Sequence, residues 1–285
     1  MSRLFAYMGN DSDRVACALY PARKSLVVGL ETPSPSIDSW GIGFYQGEVL
    51  LQRRPKAPTE PVDFYAMAKE LRTDAIIGHA RAGTVGPAKN ENTHPFRFRS
   101  WMFAHHGTVA AYDRTKDDLA ATVPDFLRRN IRGQTDSELL FHLFLGYLQK
   151  ANKIDEGRVS TNNVRDALRE TLKRVEELAG PEEYGKSECA LAVTNGRILV
   201  ATRHGSPVHV HRTQSVTDCP VCREATPQFG RDPKRIDHEH LRSVLVVADA
   251  PAQSTVGTGW QEAGNDHFIS VDHDLRVEIS PIRPA

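Results

Sequence analysis

The chain has 285 residues, of which 40% are hydrophobic, enough to close a core in one large domain or two ordinary ones. Its 36 basic and 36 acidic residues cancel, and no stretch concentrates either sign, which argues against nucleic-acid or polybasic membrane binding and favours a small-molecule partner. No window approaches the ~20 apolar residues of a membrane span, and the first residues lack the order of a secretory signal, so we expect a cytoplasmic protein.

Apolar patterning predicts strands first and then two helices. Strands are indicated at residues 4–8, at 75–81 ("AIIGHAR") and at 101–109 ("WMFAHHGTV"), and the last two end in polar residues and a glycine. A helix is predicted to begin at Thr135, because Thr135 and Glu138 have capping-box spacing before an apolar run. A second helix, "NVRDALRETLKRVEELAGP", is predicted to stop at Gly180 and Pro181.

After these helices the pattern returns to strands. Residues 188–205 alternate as a hairpin that turns at Asn195–Gly196, and strands follow within 243–250 and 267–282. Hairpins with grouped helices predict an α+β layered fold, and the absence of repeats and linkers predicts one domain over residues 1–285. The polar segment 212–240 is predicted to be the least ordered part.

Four stretches carry the residues that suggest chemistry: Ser2, "GHARAGTVG" at 78–86, "ENTHPFRFRSWMFAHHGTV" at 91–109 and "GQTDSE" at 133–138. Their order resembles the class II glutamine amidotransferases, whose pattern is an N-terminal cysteine, then His-x-Arg-x-x-Thr, Asn-x-His-Pro, His-Asn-Gly and Thr-Asp-Ser/Thr-Glu. "DSWGIGFYQG", "VTNGRILVATR" and "VVADAP" resemble the stand-alone branch of that family, which includes γ-glutamyl hydrolases of ergothioneine synthesis and of yeast glutathione breakdown.

The resemblance implies an N-terminal nucleophile hydrolase, a four-layer αββα sandwich in which two antiparallel sheets lie between helical layers. It also implies that Ser2 attacks a carboxamide once Met1 is removed. A free α-amine titrates near pH ~8, so a fraction is unprotonated at neutral pH and can take the proton from its own side chain. Serine at position 2 is small enough for methionine removal to be expected. No cofactor is implied.

The resemblance also assigns the groups that bind the substrate. Arg81 matches the family arginine that binds the α-carboxylate of glutamine, and Asp136 matches the aspartate that pairs with the α-ammonium. The plainer interpretation of each is a structural ion pair at the end of a strand or helix. Thr84 and His94 also match family positions, and we interpret both as shaping their loops. Thr84 is grouped with the substrate-binding residues because its loop follows Arg81.

Two positions depart from the family pattern. Ser2 stands where the amidotransferases have cysteine, and His106 stands where they have the asparagine that forms the oxyanion hole with the next glycine N–H, here Gly107. Loss of one oxyanion donor typically slows the reaction by about two to three orders of magnitude. An engineered nucleophile would explain Ser2 but not His106, so the two departures favour natural divergence, either toward another amide substrate or toward loss of catalysis.

Histidines and cysteines in the C-terminal half invite a zinc interpretation. They are "HVH" at 209–211, "CPVC" at 219–222 and "HEH" at 238–240, and a C-x-x-C pair with two histidines makes a tetrahedral ligand set. One C-x-x-C without its second half is a weak signal, and alternate histidines on a strand face opposite sides. The preferred interpretation is therefore an exposed loop with ordinary histidines, with no metal ligands.

These observations predict an amidohydrolase that cleaves a γ-glutamyl amide with Ser2, His106 and Gly107 as catalytic residues. The alternative is a catalytically impaired homologue that keeps the γ-glutamyl pocket, through Arg81 and Asp136, as a binding or regulatory module. Because the single domain uses almost all of the chain, ammonia is expected to be released or passed to a separate synthase subunit.

Overall fold

The computed structural model describes residues 2–29, 37–180, 185–225 and 236–283. Its helices are α1 (Val15–Leu19), α2 (Phe64–Lys69), α3 (Tyr112–Thr122), α4 (Asp125–Arg128), α5 (Asp136–Lys150), α6 (Thr161–Ala179) and α7 (Pro220–Ala225). Its strands are β1 (Arg3–Gly9), β2 (Val27–Val28), β3 (Ser39–Gln46), β4 (Glu48–Arg54), β5 (Val62–Asp63), β6 (Ala75–Arg81), β7 (Phe96–Phe98), β8 (Trp101–Thr108), β9 (Glu188–Thr194), β10 (Leu199–Arg203), β11 (Val208–Thr213), β12 (Ser243–Ala248), β13 (Trp260–Glu262), β14 (His267–Val271) and β15 (Val277–Pro281).

Two antiparallel sheets form the centre of the molecule. The first has the strand order β13-β11-β12-β1-β6-β3-β4, and the second has the order β15-β14-β10-β9-β8-β7. Small and aliphatic side chains from both sheets fill the space between them. Helices α1 and α2 pack on the outer face of the first sheet, and α3, α5 and α6 pack on the outer face of the second. The predicted αββα sandwich is therefore confirmed.

Side-chain alternation along the central strands assigns each residue to a layer. Along β1, Leu4, Ala6 and Met8 lie in the core between the sheets, whereas Phe5 and Tyr7 lie under the outer helices. Both faces are buried, so β1 reads as a continuous apolar run. Because the period is two residues, Ser2 shares the inter-sheet face with Leu4.

Local signals define the helix ends well. Thr135 is the N-cap of α5, and its hydroxyl accepts a hydrogen bond from the Glu138 N–H. The predicted capping box is only half made, because the Glu138 carboxylate instead accepts from the N–H groups of Arg132 and Gly133. Helix α6 ends at the predicted Gly180, whereas Pro181 lies outside the described residues.

The strand predictions after the helices are confirmed, but the prediction of low order is wrong for much of 212–240. The hairpin of β9 and β10 turns through Gly196 at φ +84°, as its Asn-Gly pair predicts. Within the supposed loop, Cys219 is fully buried and is followed directly by helix α7. Residues 226–235 lie outside the described part of the chain.

Among the helices that the structure describes, none combines the length and apolarity needed to cross a bilayer.

Candidate active site

Side chains from the strands that carry the motifs meet in the space between the two sheets, at one end of the sandwich. Along β6, His79 and Arg81 share a face with Ile77, which lies in the inter-sheet core. Along β8, His106 shares a face with Ala104, which lies in the same core from the opposite sheet. The rings of His79 and His106 consequently lie 6.5 Å apart between centroids, across the space between the sheets.

Ser2 lies at this end of the first sheet. In the register of β1 against β6, Arg3 is opposite Ala80, which puts Ser2 beside Arg81. The Ser2 hydroxyl is partly buried and accepts a hydrogen bond from the Ala82 N–H, 2.9 Å away. The Ser2 side-chain oxygen is therefore held by the backbone just after β6.

Three hydrogen bonds connect all four motif segments. The first is the Ala82–Ser2 contact just described. In the second, the Thr84 and Thr108 hydroxyls lie 3.0 Å apart, which joins the loop after β6 to the end of β8. In the third, the Val109 N–H donates to Asp136 Oδ2 across 2.9 Å. Segments separated by up to 134 positions are thus joined into one continuous site.

Arg81 is a buried cation whose guanidinium is largely occupied by the protein itself. Its side chain is 6% exposed, and Nη1 pairs with Asp38 Oδ2 at 2.7 Å. Its Nη2 donates to the carbonyls of Val85 and Gly86, which fixes the loop after β6. Asp38 lies in the family-like stretch "DSWGIGFYQG", but the sequence assigned it no role, because residue spacing does not show which carboxylate meets a given arginine.

Asp136 lies at the first position of α5 and is 4% exposed. Besides Val109, its carboxylate accepts hydrogen bonds from the N–H and hydroxyl of Ser137. The start of a helix also favours a negative charge. The contacts with Val109 and Ser137 direct the Asp136 carboxylate toward the end of β8.

Gly107 occupies a conformation that only glycine tolerates. Its φ is +136°, and a Cβ built on it would lie 1.8 Å from the Glu188 carbonyl oxygen on the neighbouring strand. The backbone of β8 therefore approaches β9 unusually closely beside the site. On the preceding residues, His105 points the other way and contacts Ser137 Oγ at 2.9 Å, which leaves His106 as the histidine that faces the site.

Burial keeps His106 in its neutral form. Burial, together with the smaller effects of nearby His105 and Arg3, lowers the pKa of His106 from 6.5 to about 4. Its Nε2 lies 3.9 Å from Asp249 Oδ2, and its Nδ1 has no hydrogen-bond partner within the described residues. Asp249 was not singled out by the sequence either; it follows β12, which pairs with β1.

Two further histidines lie behind His106. The rings of His79 and His94 are 4.3 Å apart between centroids, and both residues are buried. Within the described residues none of their four ring nitrogens has a hydrogen-bond partner. Burial holds both pKa values well below the usual range, with neighbouring cationic or histidine groups adding to the effect. The interior of the site therefore contains three neutral imidazoles, those of His79, His94 and His106.

Asn92 is a structural residue that the sequence reasoning passed over. It is fully buried, donates to the Pro87 carbonyl and to Gln134 Oε1, and accepts from the Gln134 N–H. These contacts hold the loop after β6 against the segment that leads into α5. Its place two residues before His94, inside the family-like "NTHP", is the signal that pointed to it.

The structure places the predicted zinc candidates in two separate groups. His209 and His211 lie on β11 and pack against Trp260. Cys219, Cys222 and His238 instead converge with Cys17, which the sequence had not connected with them. The preferred interpretation of an exposed loop is wrong for this part of the segment.

A family model for class II glutamine amidotransferases matches residues 9–222. The chain therefore belongs to the class II glutamine amidotransferases, as the motif order had indicated. The matched range begins after Ser2, so the nucleophile position is outside it.

Two curated relatives match parts of the chain. The probable glutamine amidotransferase DUG3 of Saccharomyces cerevisiae is 30% identical over 148 residues, 48% of this chain and 41% of that protein. A γ-glutamyl-hercynylcysteine sulfoxide hydrolase of Mycobacterium tuberculosis is 36% identical over 74 residues, 25% of this chain and 32% of that protein. The match spans less than half of either relative.

Solved structures share the fold over almost the whole chain. A glutamine aminotransferase class-II domain protein from Silicibacter pomeroyi has a TM-score of 0.57 at 19% identity and covers 99% of this chain and 100% of its own. The glutamine phosphoribosylpyrophosphate amidotransferase of B. subtilis has a TM-score of 0.54 at 12% identity and covers 99% of this chain and 50% of its own. These likenesses confirm the N-terminal nucleophile hydrolase fold.

Proposed function

We propose that this chain hydrolyses a γ-glutamyl amide, either glutamine or a γ-glutamyl conjugate, through Ser2 after removal of Met1. The observation that carries the proposal is the chain of three hydrogen bonds that joins Ser2 to the Arg81 loop, that loop to the end of β8, and β8 to Asp136. It brings a hydroxyl, a cation and a carboxylate together at one end of the sheets. A γ-glutamyl amide presents a carbonyl, a carboxylate and an ammonium group that complement them.

In the proposed reaction, the freed α-amine of Ser2 takes the proton from its own hydroxyl, directly or through a water. The oxygen attacks the γ-carbonyl carbon to form a tetrahedral oxyanion. Collapse of this intermediate breaks the C–N bond, and the leaving amine takes the proton from the α-ammonium. Water then hydrolyses the γ-glutamyl ester to glutamate and restores Ser2. The hydrogen bond from Ala82 orients the hydroxyl for attack.

The α-carboxylate and α-ammonium of the substrate are assigned to Arg81 and Asp136. A guanidinium has five N–H donors, and the contacts with Asp38, Val85 and Gly86 use three of them, which leaves two for a carboxylate. The Asp136 carboxylate has about four acceptor sites and accepts three hydrogen bonds, which leaves one for an ammonium. Thr84 shapes the loop between these two groups.

The oxyanion is assigned to the Gly107 N–H and to His106. Because burial keeps His106 neutral, its ring carries one N–H, and a neutral imidazole can polarise a carbonyl oxygen without itself titrating. His106 would then replace the family asparagine as an uncharged hydrogen-bond donor. In this proposal residues 1–285 act as one domain, and ammonia is released or passed to a separate synthase subunit.

The test begins with intact-mass measurement of the protein isolated from its native host. Loss of Met1 is expected, and retention of Met1 would refute the proposal of enzymatic activity. Ammonia release from glutamine and amine release from γ-glutamyl amides are then compared between the wild type and Ser2→Ala, which should lose activity. Ser100→Ala is the matched control, because Ser100 is exposed and precedes the opposite end of β8. Equal activity of Ser2→Ala and the wild type would remove Ser2 from the mechanism.

The binding-module alternative is supported by the two departures from the family pattern, Ser2 and His106. Calorimetric binding of a γ-glutamyl ligand without turnover, unchanged by Ser2→Ala, is the result that this alternative predicts. Restoring the family residues in a Ser2→Cys, His106→Asn variant separates the two further. A large gain in glutaminase activity would show a pocket that still binds substrate, whereas no activity in either protein favours the binding module.

A further inference from the structure

Four side chains from distant parts of the chain converge on the outer face of the first sheet. They are Cys17, Cys219, Cys222 and His238, which we call the cysteine–histidine cluster, and their ligand atoms all lie within 4.8 Å of one another. The Cys17 and Cys222 sulfurs are 3.5 Å apart, and Cys222 Sγ is 3.3 Å from His238 Nε2. Cys17 and Cys219 are buried, and the other two are half-buried.

Backbone contacts hold the cluster in place independently of its side chains. Cys17 lies within α1, whereas Cys219 directly precedes α7 and Cys222 lies within it. An isolated antiparallel bridge joins Val216 to His238, with N–H···O distances of 3.1 and 2.7 Å. The Cys219 N–H also donates to the Ile236 carbonyl at 2.7 Å. The segments that carry Cys219 and His238 are therefore fixed against each other, and Cys17 approaches them from α1.

We propose that the cysteine–histidine cluster is a structural zinc site. Zinc bound at about 2.3 Å from sulfur and about 2.0 Å from nitrogen requires ligand atoms roughly 3.5–3.8 Å apart at the corners of a tetrahedron. The two distances above are within a few tenths of an ångström of that spacing. Three thiolates and one imidazole are the soft donors that select zinc over magnesium or calcium.

The composition of the cluster also says what kind of site it is. Four protein ligands close the coordination sphere, which is typical of structural rather than catalytic zinc. Three thiolates and one Zn²⁺ leave a net charge of −1, and Arg14 Nη1 donates to Cys222 Sγ at 3.3 Å, which offsets it. The cluster lies outside the first sheet, whereas the candidate active site lies between the sheets.

Other roles for these residues account for fewer of the contacts. Free cysteines are common as small buried hydrophobes, but that role does not explain an imidazole nitrogen directed at a half-buried thiol. A disulfide between Cys17 and Cys222 would use two sulfurs and leave Cys219 and His238 unexplained. Zinc binding uses all four groups at once.

Bound zinc would connect α1 to the segment that contains α7, across more than 200 residues of sequence. Helix α1 belongs to the hydrophobic cluster that also contains Phe5 and Tyr7 of β1, so the connection stabilises the helical layer behind the strand that follows Ser2. Metal ligands must be deprotonated and brought together, so binding energy becomes folding stability.

The test is metal analysis of the full-length protein purified under reducing conditions without chelator. About one zinc per chain is expected, and chelator should remove it and lower the melting temperature. Co²⁺ added to the stripped protein should give the intense visible bands of tetrahedral coordination with thiolate charge-transfer absorption. Zinc should also protect Cys222 from iodoacetamide, read by peptide mapping, and chelator should abolish that protection.

Matched variants distinguish ligands from neighbours. Cys222→Ser and His238→Ala should lose most of the zinc, whereas His240→Ala should keep it, because His240 is an exposed histidine two residues from His238. Cys189→Ala should also keep it, because Cys189 lies on β9 in the second sheet.

Several outcomes would overturn the proposal. Wild-type protein that neither contains zinc nor takes up Zn²⁺ or Co²⁺ would do so without any variant having to fold. A Cys17–Cys222 disulfide found by non-reducing peptide mapping in metal-free protein purified without reductant, or zinc retained by both ligand variants, would do so as well.

Discussion

Acidification is expected to destabilise the fold through the buried histidines between the sheets. His106 is 8% exposed, and burial lowers its pKa from 6.5 to about 4. Between these two values the unfolded chain binds a proton that the folded protein does not, so the stability contributed by the neutral ring is complete above pH 6.5 and is lost as the pH falls toward 4. His79 and His94 are shifted in the same direction and act with the same sign.

For His106 alone, the linkage relation predicts a loss of about 2 kcal/mol in the free energy of unfolding between pH 7.5 and pH 5. Urea unfolding followed by circular dichroism at both pH values measures it. His106→Asn removes the titrating group and should reduce the wild-type difference by about 2 kcal/mol, whatever it does to stability at pH 7.5. The loss that persists belongs to His79, His94 and other groups.

The control for this measurement is His273→Asn, because His273 is exposed in the turn between β14 and β15. It should keep the wild-type difference between the two pH values. If His106→Asn also keeps the full difference, then His106 is not held neutral by the fold, and the assignment of a neutral oxyanion donor is refuted with it.

Two further predictions concern the site. Gly107→Ala should destabilise the protein by at least about 3 kcal/mol and abolish activity, because the new Cβ would overlap the Glu188 carbonyl at a positive φ. Gly157→Ala is the control, because the space around Gly157 is open. Its free energy of unfolding should stay within about 0.5 kcal/mol of wild type in the same urea assay. Arg81→Lys should raise KM for a γ-glutamyl amide by about tenfold or more with a smaller effect on kcat, since an ammonium cannot make the bidentate contact of a guanidinium with a carboxylate. An unchanged KM in steady-state kinetics would contradict the assignment of Arg81 to the substrate carboxylate.

Several elements of this fold were predictable because each depends on residues close in sequence. Short apolar runs that end in polar residues and a glycine predicted β6 and β8, an Asn-Gly pair predicted the turn between β9 and β10, and Thr135 predicted the start of α5. The motif order likewise indicated the family, since it depends only on residue types and spacing. What spacing does not contain is which face of one sheet meets which face of the other.

The failures of prediction follow from that limit. The segment 212–240 looked polar and loosely ordered because its buried contacts are made with α1, which is distant in sequence. The capping box at α5 was half right because the Glu138 carboxylate found other N–H groups in a tight turn before the helix.

The sequence by itself determined the central strands β1, β6 and β8, the two long helices, the family, and the motif positions at Ser2, Arg81, His106 and Asp136. Only the tertiary structure decided that Asp38 neutralises Arg81 and that His106 faces the buried His79 across the space between the sheets. It also decided that Cys17 joins the cysteine–histidine cluster. The physical reason is that strand register and sheet packing set these long-range contacts, and both depend on how apolar faces bury one another across the whole chain.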